Sequence, residues 1–153
     1  MPTLDDVYRK FGETYQAAQL LETELGTLLL EAKAIEADLL DHPNREQASD
    51  ILESINHQTL GQLLKKLNHS RASVSELEAL LSRALAERNR LAHSFYREHN
   101  LRILSEEGRA LMLKDLESMH ITIFDAYKAV MLLSGYDLEK IDIVSFPNDH
   151  LPI

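Results

Sequence analysis

The chain has 153 residues, 44% of them hydrophobic, and a net charge of −9 from 16 basic and 25 acidic side chains. This length is enough for one domain with a buried core and short for two. No apolar run approaches the ~20 residues of a membrane-spanning helix. The absence of cysteine excludes disulfides, thiol nucleophiles and thiolate metal sites. The start, Met1 to Asp6, is acidic where a signal peptide is basic, so a cytoplasmic protein is expected.

The first predicted element is a long helix. Glycine and proline are few, and none of them interrupts the apolar periodicity, which predicts an all-α protein. Thr3 is a candidate N-cap, with Asp5 and Asp6 in the first turn, where the helix dipole favours acids. The apolar stripe continues to about Leu40, and residues 41–44 stop it. A helix of ~35 residues is about 50 Å long, which indicates a partner along part of its length.

The middle of the chain predicts shorter helices and then a helix that carries a motif. Residues 45–68 are expected to form one or two short helices, the second at 60–67. The motif helix begins at Ser73 or Ser75, because this segment has the spacing of a capping box. Its apolar pattern continues to residues 98–101.

The last long helix is bounded by a serine and a glycine. Ser105 is its candidate N-cap, and Gly135 is a suitable C-terminal stop. The predicted fold is therefore an antiparallel bundle of four or five helices with a long N-terminal helix. We expect a single domain over residues 1–135 and a short C-terminal tail over 136–153.

Charge is distributed unevenly along the chain. Residues 61–103 carry eight basic and four acidic side chains, whereas the rest of the chain carries eight basic and 21 acidic ones. Such asymmetry indicates either an anion-binding face on an acidic body or a solvated helix face with ordinary ion pairs. Both interpretations remain open from composition alone.

Arg88 occupies a position where an apolar residue is expected. With Leu77 as origin and 100° per residue, Arg88 falls at about 20° on the helical wheel. The other members of this stripe lie within about 60°, and they are Leu80, Leu81, Ala84, Leu91 and Phe95. An unpaired guanidinium in a core costs several kcal/mol. Arg88 is therefore expected to meet a carboxylate, to lie at a subunit seam, or to line an anion-binding cleft.

Two polar residues flank Arg88 on the same helix. Asn89 and His93 are one turn apart and face the same way. The pattern Arg88-x4-His93, with Asn89 directly after the arginine, resembles the Arg-x4–6-His motif of the HEPN superfamily of α-helical domains. The resemblance covers the helical layout of most of the chain, and its specific part is the segment from Arg88 to Tyr96.

This resemblance implies a metal-independent endoribonuclease that acts as a homodimer, with two copies of the motif forming one cleft. Many such proteins are toxins of toxin–antitoxin or phage-defence systems. The resemblance also implies that no cofactor or metal is required, and that RNA and a cognate antitoxin or regulatory protein are partners.

The chemistry of RNA cleavage suits these residue types. Attack by the 2′-OH requires a base, an acid for the leaving 5′-oxygen, and a cation for the phosphorane charge. Histidine titrates near neutrality, and arginine binds phosphate with two parallel N–H groups. His93 is thus the candidate base or acid, Arg88 the candidate phosphate ligand, and Asn89 the residue that orients one of them. The candidate RNA-binding residues are Arg90, Tyr96 and Arg97.

One feature separates the chain from a HEPN subfamily. Toxins paired with nucleotidyltransferase antitoxins usually carry a modified tyrosine two residues after the histidine. Here Phe95 occupies that place and Tyr96 follows it. The pattern is therefore closer to that of stand-alone HEPN-like proteins.

Other interpretations of the same residues remain open. Arg88 is also a candidate for a structural ion pair with Glu22 or Glu24 on the first helix. The alternative function is a catalytically inactive HEPN-like dimerisation or regulatory protein, and a third is a small acidic helical chaperone. Tyr8 and Tyr15 are expected at the edge of the core. The remaining histidines lack metal-ligand spacing and are expected on surfaces or loops, and they are His42, His57, His69, His99, His120 and His150.

Overall fold

The structure is a computed structural model that describes residues 1–56 and 75–140. In these ranges every regular element is a helix, which confirms the all-α prediction. The elements in chain order are α1 (Leu4–Glu36), α2 (Arg45–Asn56), α3 (Ser75–His93), α4 (Phe95–His99), a 3₁₀ helix (Asn100–Leu104) and α5 (Glu106–Leu133). The helix expected at 60–67, the cap at Ser73 and most of the tail lie outside the described residues.

The N-terminus of α1 has a complete capping box. The Thr3 hydroxyl accepts a hydrogen bond from the Asp6 amide, and the Asp6 carboxylate accepts one from the Thr3 amide at 2.9 Å. These bonds satisfy amides that the helix itself leaves unpaired. The helix ends at Glu36, four residues before the predicted stop at Leu40. Asp38 adopts a left-handed backbone with φ of 56°, which α-helical hydrogen bonding does not accommodate.

The three long helices form the bundle. The Pro2 carbonyl accepts from Arg109 Nε at 2.8 Å, and the Glu24 carboxylate accepts from the Ser134 hydroxyl at 2.5 Å. The first contact lies at the start of both helices, and the second joins the end of α5 to a later part of α1. The two helices therefore run in the same direction. Glu22 contacts Arg88, whereas Phe11, earlier in α1, contacts Phe95, which follows α3, so α3 runs antiparallel to α1.

The core between these helices has two clusters that lie along the bundle axis. One contains Ala17, Ala18, Leu21, Leu25, Leu28, Leu29, Ile55, Leu81, Ala84, Ile123, Ala126 and Val130. The other contains Val7, Leu91, Phe95, Met112, Leu116 and Met119. Gly26 permits the approach of α2, because a Cβ there would lie only 3.2 Å from Ile55 Cγ2. Burial of these side chains is the main favourable contribution to the stability of the bundle.

The motif helix is shorter than the sequence predicts. Helix α3 ends at His93, whereas the sequence places its end at residues 98–101. Ser94, with φ of −127°, separates it from α4, and Phe95 then continues the buried stripe. The predicted cap of the last helix is confirmed, because the Ser105 hydroxyl accepts from the Gly108 amide at 3.0 Å. Gly135 follows the end of α5 with φ of 87°, a conformation that favours glycine.

Candidate functional site

Arg88 lies at the rim of the seam between α1 and α3. Its side chain is 22% exposed, and its Nε donates to Glu22 Oε1 at 2.7 Å. A second N–H donates to Asn89 Oδ1 at 3.2 Å. Of the two acids considered as partners, the structure therefore has Glu22, whereas Glu24 accepts from Ser134. Within the single chain, the arginine in the apolar stripe is satisfied by an ion pair.

The flanking residues of the motif are open to solvent. Asn89 and His93 are both exposed, and His93 is the last residue of α3. Arg97 donates from a terminal nitrogen to the His93 carbonyl at 2.7 Å, so its guanidinium lies against the last turn of α3. No carboxylate in the described part of the chain pairs with Arg97. A cation, an imidazole and an amide are thus accessible on one side of the helix.

An aromatic strip continues this surface across α1. The strip consists of Tyr8, Phe11, Tyr15 and Tyr96. The ring of Phe11 lies 5.2 Å from Tyr96 and 6.1 Å from Tyr15, measured between centroids. Tyr8 and Tyr15 are 52% and 36% exposed, so they are more open than the predicted core edge. Burial, reinforced by Tyr8, raises the pKa of Tyr96, which therefore remains a neutral hydrogen-bonding group at physiological pH.

The face of α1 that carries the strip is uncharged over three turns. Gly12 lies between Tyr8 and Tyr15 along this face, and a Cβ at Gly12 would meet nothing within 4 Å. Gln19 extends the same face by one further turn. In a chain with a net charge of −9, an uncharged and partly aromatic surface beside the motif is unusual. Such surfaces are typical of binding sites.

Arg90 lies among three carboxylates. Its guanidinium binds both oxygens of Asp115, one at 2.9 Å, and also contacts Glu98 at 2.6 Å and Glu87 at 3.3 Å. The hydrogen bond to Asp115 is the largest of several effects that raise the pKa of Arg90 further above its ordinary value. Its four hydrogen bonds to three carboxylates leave little capacity for a phosphate, and the role of Arg90 in binding RNA stays a prediction. Arg90 joins α3 to α5.

His99 is buried, contrary to the surface or loop position predicted for it. Its side chain is only 4% exposed, and Nε2 lies 2.7 Å from Asp115 Oδ2. The missed signal is periodicity. On the wheel that starts at Leu77, His99 falls at about 40°, inside the buried stripe that resumes after Ser94. The sequence places the end of the helix at this point, which obscured that continuity.

His120 is a second histidine that is not simply on the surface. Its Nδ1 is buried and has no hydrogen-bond partner among the described residues. Burial, together with the positive charge of Lys10, lowers the pKa of His120 below its ordinary value of 6.5. His42, in contrast, is exposed as expected and lies 2.8 Å from Asp38. His57, His69 and His150 lie outside the described residues.

No set of three or more potential metal-ligating side chains is clustered among residues 1–56 and 75–140. None of the helices in the same ranges combines the length and the apolar character that crossing a bilayer requires.

Compared with known proteins, the chain matches no family model, no curated protein sequence and no solved structure.

Proposed function

We propose that the chain is a metal-independent endoribonuclease of HEPN-like toxin or phage-defence type, acting as a homodimer in the cytoplasm. One observation carries the proposal: Glu22 and Asn89 hold the Arg88 guanidinium at the rim of an open surface that includes the exposed His93. The arginine is thus partly accessible and its orientation is fixed by two bonds. These are the properties required of a group that stabilises charge in a transition state.

The proposed reaction uses only groups of the RNA and the protein. A neutral His93 imidazole accepts the proton of the 2′-OH, and the resulting oxygen attacks the adjacent phosphorus. The bond between phosphorus and the 5′-oxygen breaks, and a protonated imidazole donates a proton to that oxygen. The products are a 2′,3′-cyclic phosphate and a free 5′-OH. Arg88 stabilises the phosphorane charge, and Asn89 positions Arg88.

The neighbouring residues fit an RNA substrate with unpaired bases. Tyr96 is 41% exposed at the end of the aromatic strip, and exposed aromatic rings stack nucleobases regardless of sequence. Arg97, which no described carboxylate neutralises, is the candidate ligand of a flanking phosphate. Because only a few phosphates are contacted on an otherwise acidic protein, RNA binding is expected to be weak and to be detectable at low salt, with a slope against log salt concentration that reflects this small number of contacts.

The proposed dimer joins the α1 parts of two aromatic strips, Tyr8, Phe11 and Tyr15, and leaves Tyr96 open to RNA. The strip is uncharged, whereas two bodies of charge −9 repel each other elsewhere. A two-fold axis beside it would bring two copies of the motif into one cleft, and would also explain why α1 is long for a lone domain. Sedimentation equilibrium tests this point. Tyr8→Ser combined with Tyr15→Ser is expected to yield a monomer, and a monomeric wild type would contradict the dimer.

A second candidate is a non-catalytic dimerisation or regulatory protein of the same fold. The observation that favours it is the ion pair itself, because Glu22 neutralises Arg88 within one chain at 2.7 Å. In that case Arg88 serves to set the register of two helices, and the exposed strip serves only to bind a protein partner.

Cleavage of a mixed RNA pool in EDTA and low salt distinguishes the two candidates. Wild type, Arg88→Ala and His93→Ala are compared, with Arg83→Ala as a control for loss of an exposed arginine from the same helix. We expect cleavage by wild type and the control, and a loss of about 10²-fold or more in each motif variant. Intact RNA with wild type, or equal cleavage by all four proteins, would support the non-catalytic alternative.

A further inference from the structure

A second cluster of charged groups lies on another side of α3, outside the proposed nuclease site. It surrounds an open groove of about 410 Å³ between the 3₁₀ helix, the end of α3–α4 and the first turns of α5. The ionisable residues that line it are Arg90, Glu98, His99, Arg102, Lys114 and Asp115. Neither Arg88 nor His93 lines this groove, so the two sites have separate residues.

The two carboxylates of the groove share one guanidinium. Arg90 binds Asp115 with two nitrogens and Glu98 with its Nε at 2.6 Å. Burial raises the pKa of Asp115, but the hydrogen bonds from Arg90 and His99 outweigh it and lower this pKa overall. Asp115 is therefore a carboxylate at physiological pH, and it is satisfied by its neighbours rather than free to bind a cation.

A buried histidine fixes one of the two remaining cations. Arg102 lies with a terminal nitrogen 3.2 Å from His99 Nδ1, and arginine has only N–H donors. Nδ1 is therefore the acceptor of this hydrogen bond, which leaves Nε2–H as the donor to Asp115. The chain of bonds from Asp115 through His99 orients the guanidinium of Arg102 at the groove. Its other N–H groups have no partner among the described residues.

Lys114 is the other cation. It lines the same groove one turn along α5 from Leu111, and it forms no ion pair within the described part of the chain. Arg90, Arg102 and Lys114 carry three positive charges against the two negative charges of Glu98 and Asp115, so the lining has an excess of one positive charge, which favours an anion. Leu111 also lines the groove, and 52% of its side chain is exposed, which adds an apolar surface beside the charges.

We propose that this groove binds a phosphomonoester, with Arg102 and Lys114 as the ligands of the phosphoryl group. Arginine and lysine together are the usual protein ligands of phosphate. His99 is a positioning residue that acts through Arg102. The exposed Leu111 suits an organic group such as a nucleoside next to the phosphate. The proposal does not depend on nuclease activity, because it uses none of the motif residues.

The test is a titration of ¹⁵N-labelled protein, followed by amide NMR shifts at constant ionic strength. The probes are AMP, inorganic phosphate and a 2′-O-methyl oligonucleotide without a terminal phosphate. We expect saturable shifts with AMP, centred on residues 102–118. Arg102→Gln and Lys114→Gln are each expected to raise the dissociation constant by about tenfold or more, the loss of one charge-assisted hydrogen bond. Lys33→Gln is the matched control, because Lys10 of α1 contacts Glu117 beside the groove and Lys33 lies roughly 35 Å farther along α1.

The ligands and variants in this titration distinguish between the possible binding sites and ligand classes. Binding of AMP but not of the oligonucleotide supports a free phosphomonoester, and equal binding of both points to the same phosphoryl site on an RNA backbone. Arg88→Ala is expected to bind AMP as wild type does, so failure of the nuclease proposal leaves this one testable. Shifts reproduced by chloride, or equal affinity in wild type and Lys114→Gln, would overturn the proposal. Because Lys114 forms no ion pair within the described part of the chain, Lys114→Gln is expected to fold as wild type does. A change in its affinity therefore reports on binding.

Discussion

The Arg88 guanidinium on α3 and the Glu22 carboxylate on α1 form a hydrogen-bonded ion pair of 2.7 Å across two antiparallel helices. The pair lies at the rim of the core, with both side chains less than one-third exposed. The ion pair compensates the charge of an arginine that lies in an apolar stripe, and it leaves the Arg88 side chain partly exposed to solvent. The same geometry thus suits a register-setting contact and a partly exposed catalytic arginine.

The energetic weight of this pair is measurable in a double-mutant cycle. Arg88→Ala, Glu22→Gln and the double variant are compared by urea unfolding. We expect a coupling of about 1 kcal/mol, at the upper end for exposed pairs, because both groups are partly desolvated. Arg83→Ala, which changes an exposed arginine of the same helix, is expected to alter the stability by less than about 0.5 kcal/mol. A coupling near zero would mean that the pair does not fix the register.

Arg90 is expected to matter more for stability than for RNA. Arg90→Gln leaves the Asp115 and Glu98 carboxylates close together without their shared cation, which we expect to cost about 2 kcal/mol of unfolding free energy. Arg97→Gln, which removes an arginine without a described acid partner, is expected to cost less than about 0.5 kcal/mol. Thermal and urea unfolding of the two variants measure the difference. Similar stabilities would contradict the assigned structural role of Arg90.

Two helical glycines are expected to respond to alanine in opposite directions. A Cβ at Gly108 would lie 2.0 Å from the Arg102 carbonyl oxygen, so the 3₁₀ helix would have to move. Gly108→Ala is therefore expected to lower stability by about 1–3 kcal/mol. At Gly12 nothing lies within 4 Å, and Gly12→Ala is expected to raise stability by about 0.5–1 kcal/mol through helix propensity. A urea midpoint that rises in Gly108→Ala would show that the close contact there is absent, and one that falls in Gly12→Ala would contradict the open space at that position.

His120 gives the stability a pH dependence near neutrality. Burial, together with Lys10, lowers its pKa in the folded protein, whereas Glu117 and Glu13 act in the opposite direction. In the unfolded chain the imidazole takes up a proton below about pH 6.5, so its contribution to stability is present above that pH. This contribution is lost as the pH falls through the lower folded-state pKa.

His120→Phe is expected to remove that dependence while keeping the stacking contact with Phe124, whose ring lies 5.8 Å away. Urea unfolding at about pH 5 and 7 is the measurement. Wild type is expected to lose more stability than the variant on acidification, and an NMR titration of the His120 ring is expected to give a midpoint below 6.5. Equal losses in the two proteins, with an ordinary midpoint, would refute the assignment.

Local signals in the sequence are sufficient to predict a structural feature where a side chain bonds to its own helix or where one face of a helix is apolar. Thr3 and Ser105 were identified as caps because a hydroxyl at that position meets an amide a few residues later. The prediction of the end of α1 was too late by four residues, since the backbone conformation of Asp38 does not follow from apolar spacing. The apolar stripe of α3 continues past Ser94 and buries His99, although the sequence predicts a surface or loop position for this residue.

The sequence by itself determined that the protein is helical, that Arg88 interrupts a buried stripe, and that Asn89 and His93 share one flank, because these are consequences of the 3.6-residue period. Only the tertiary structure decided which acid meets each arginine. Arg88 and Arg90 are two residues apart and face different neighbours, so one pairs with Glu22 on α1 and the other with Asp115 on α5. Such pairings depend on the packing and register of separate helices, and no local pattern encodes them.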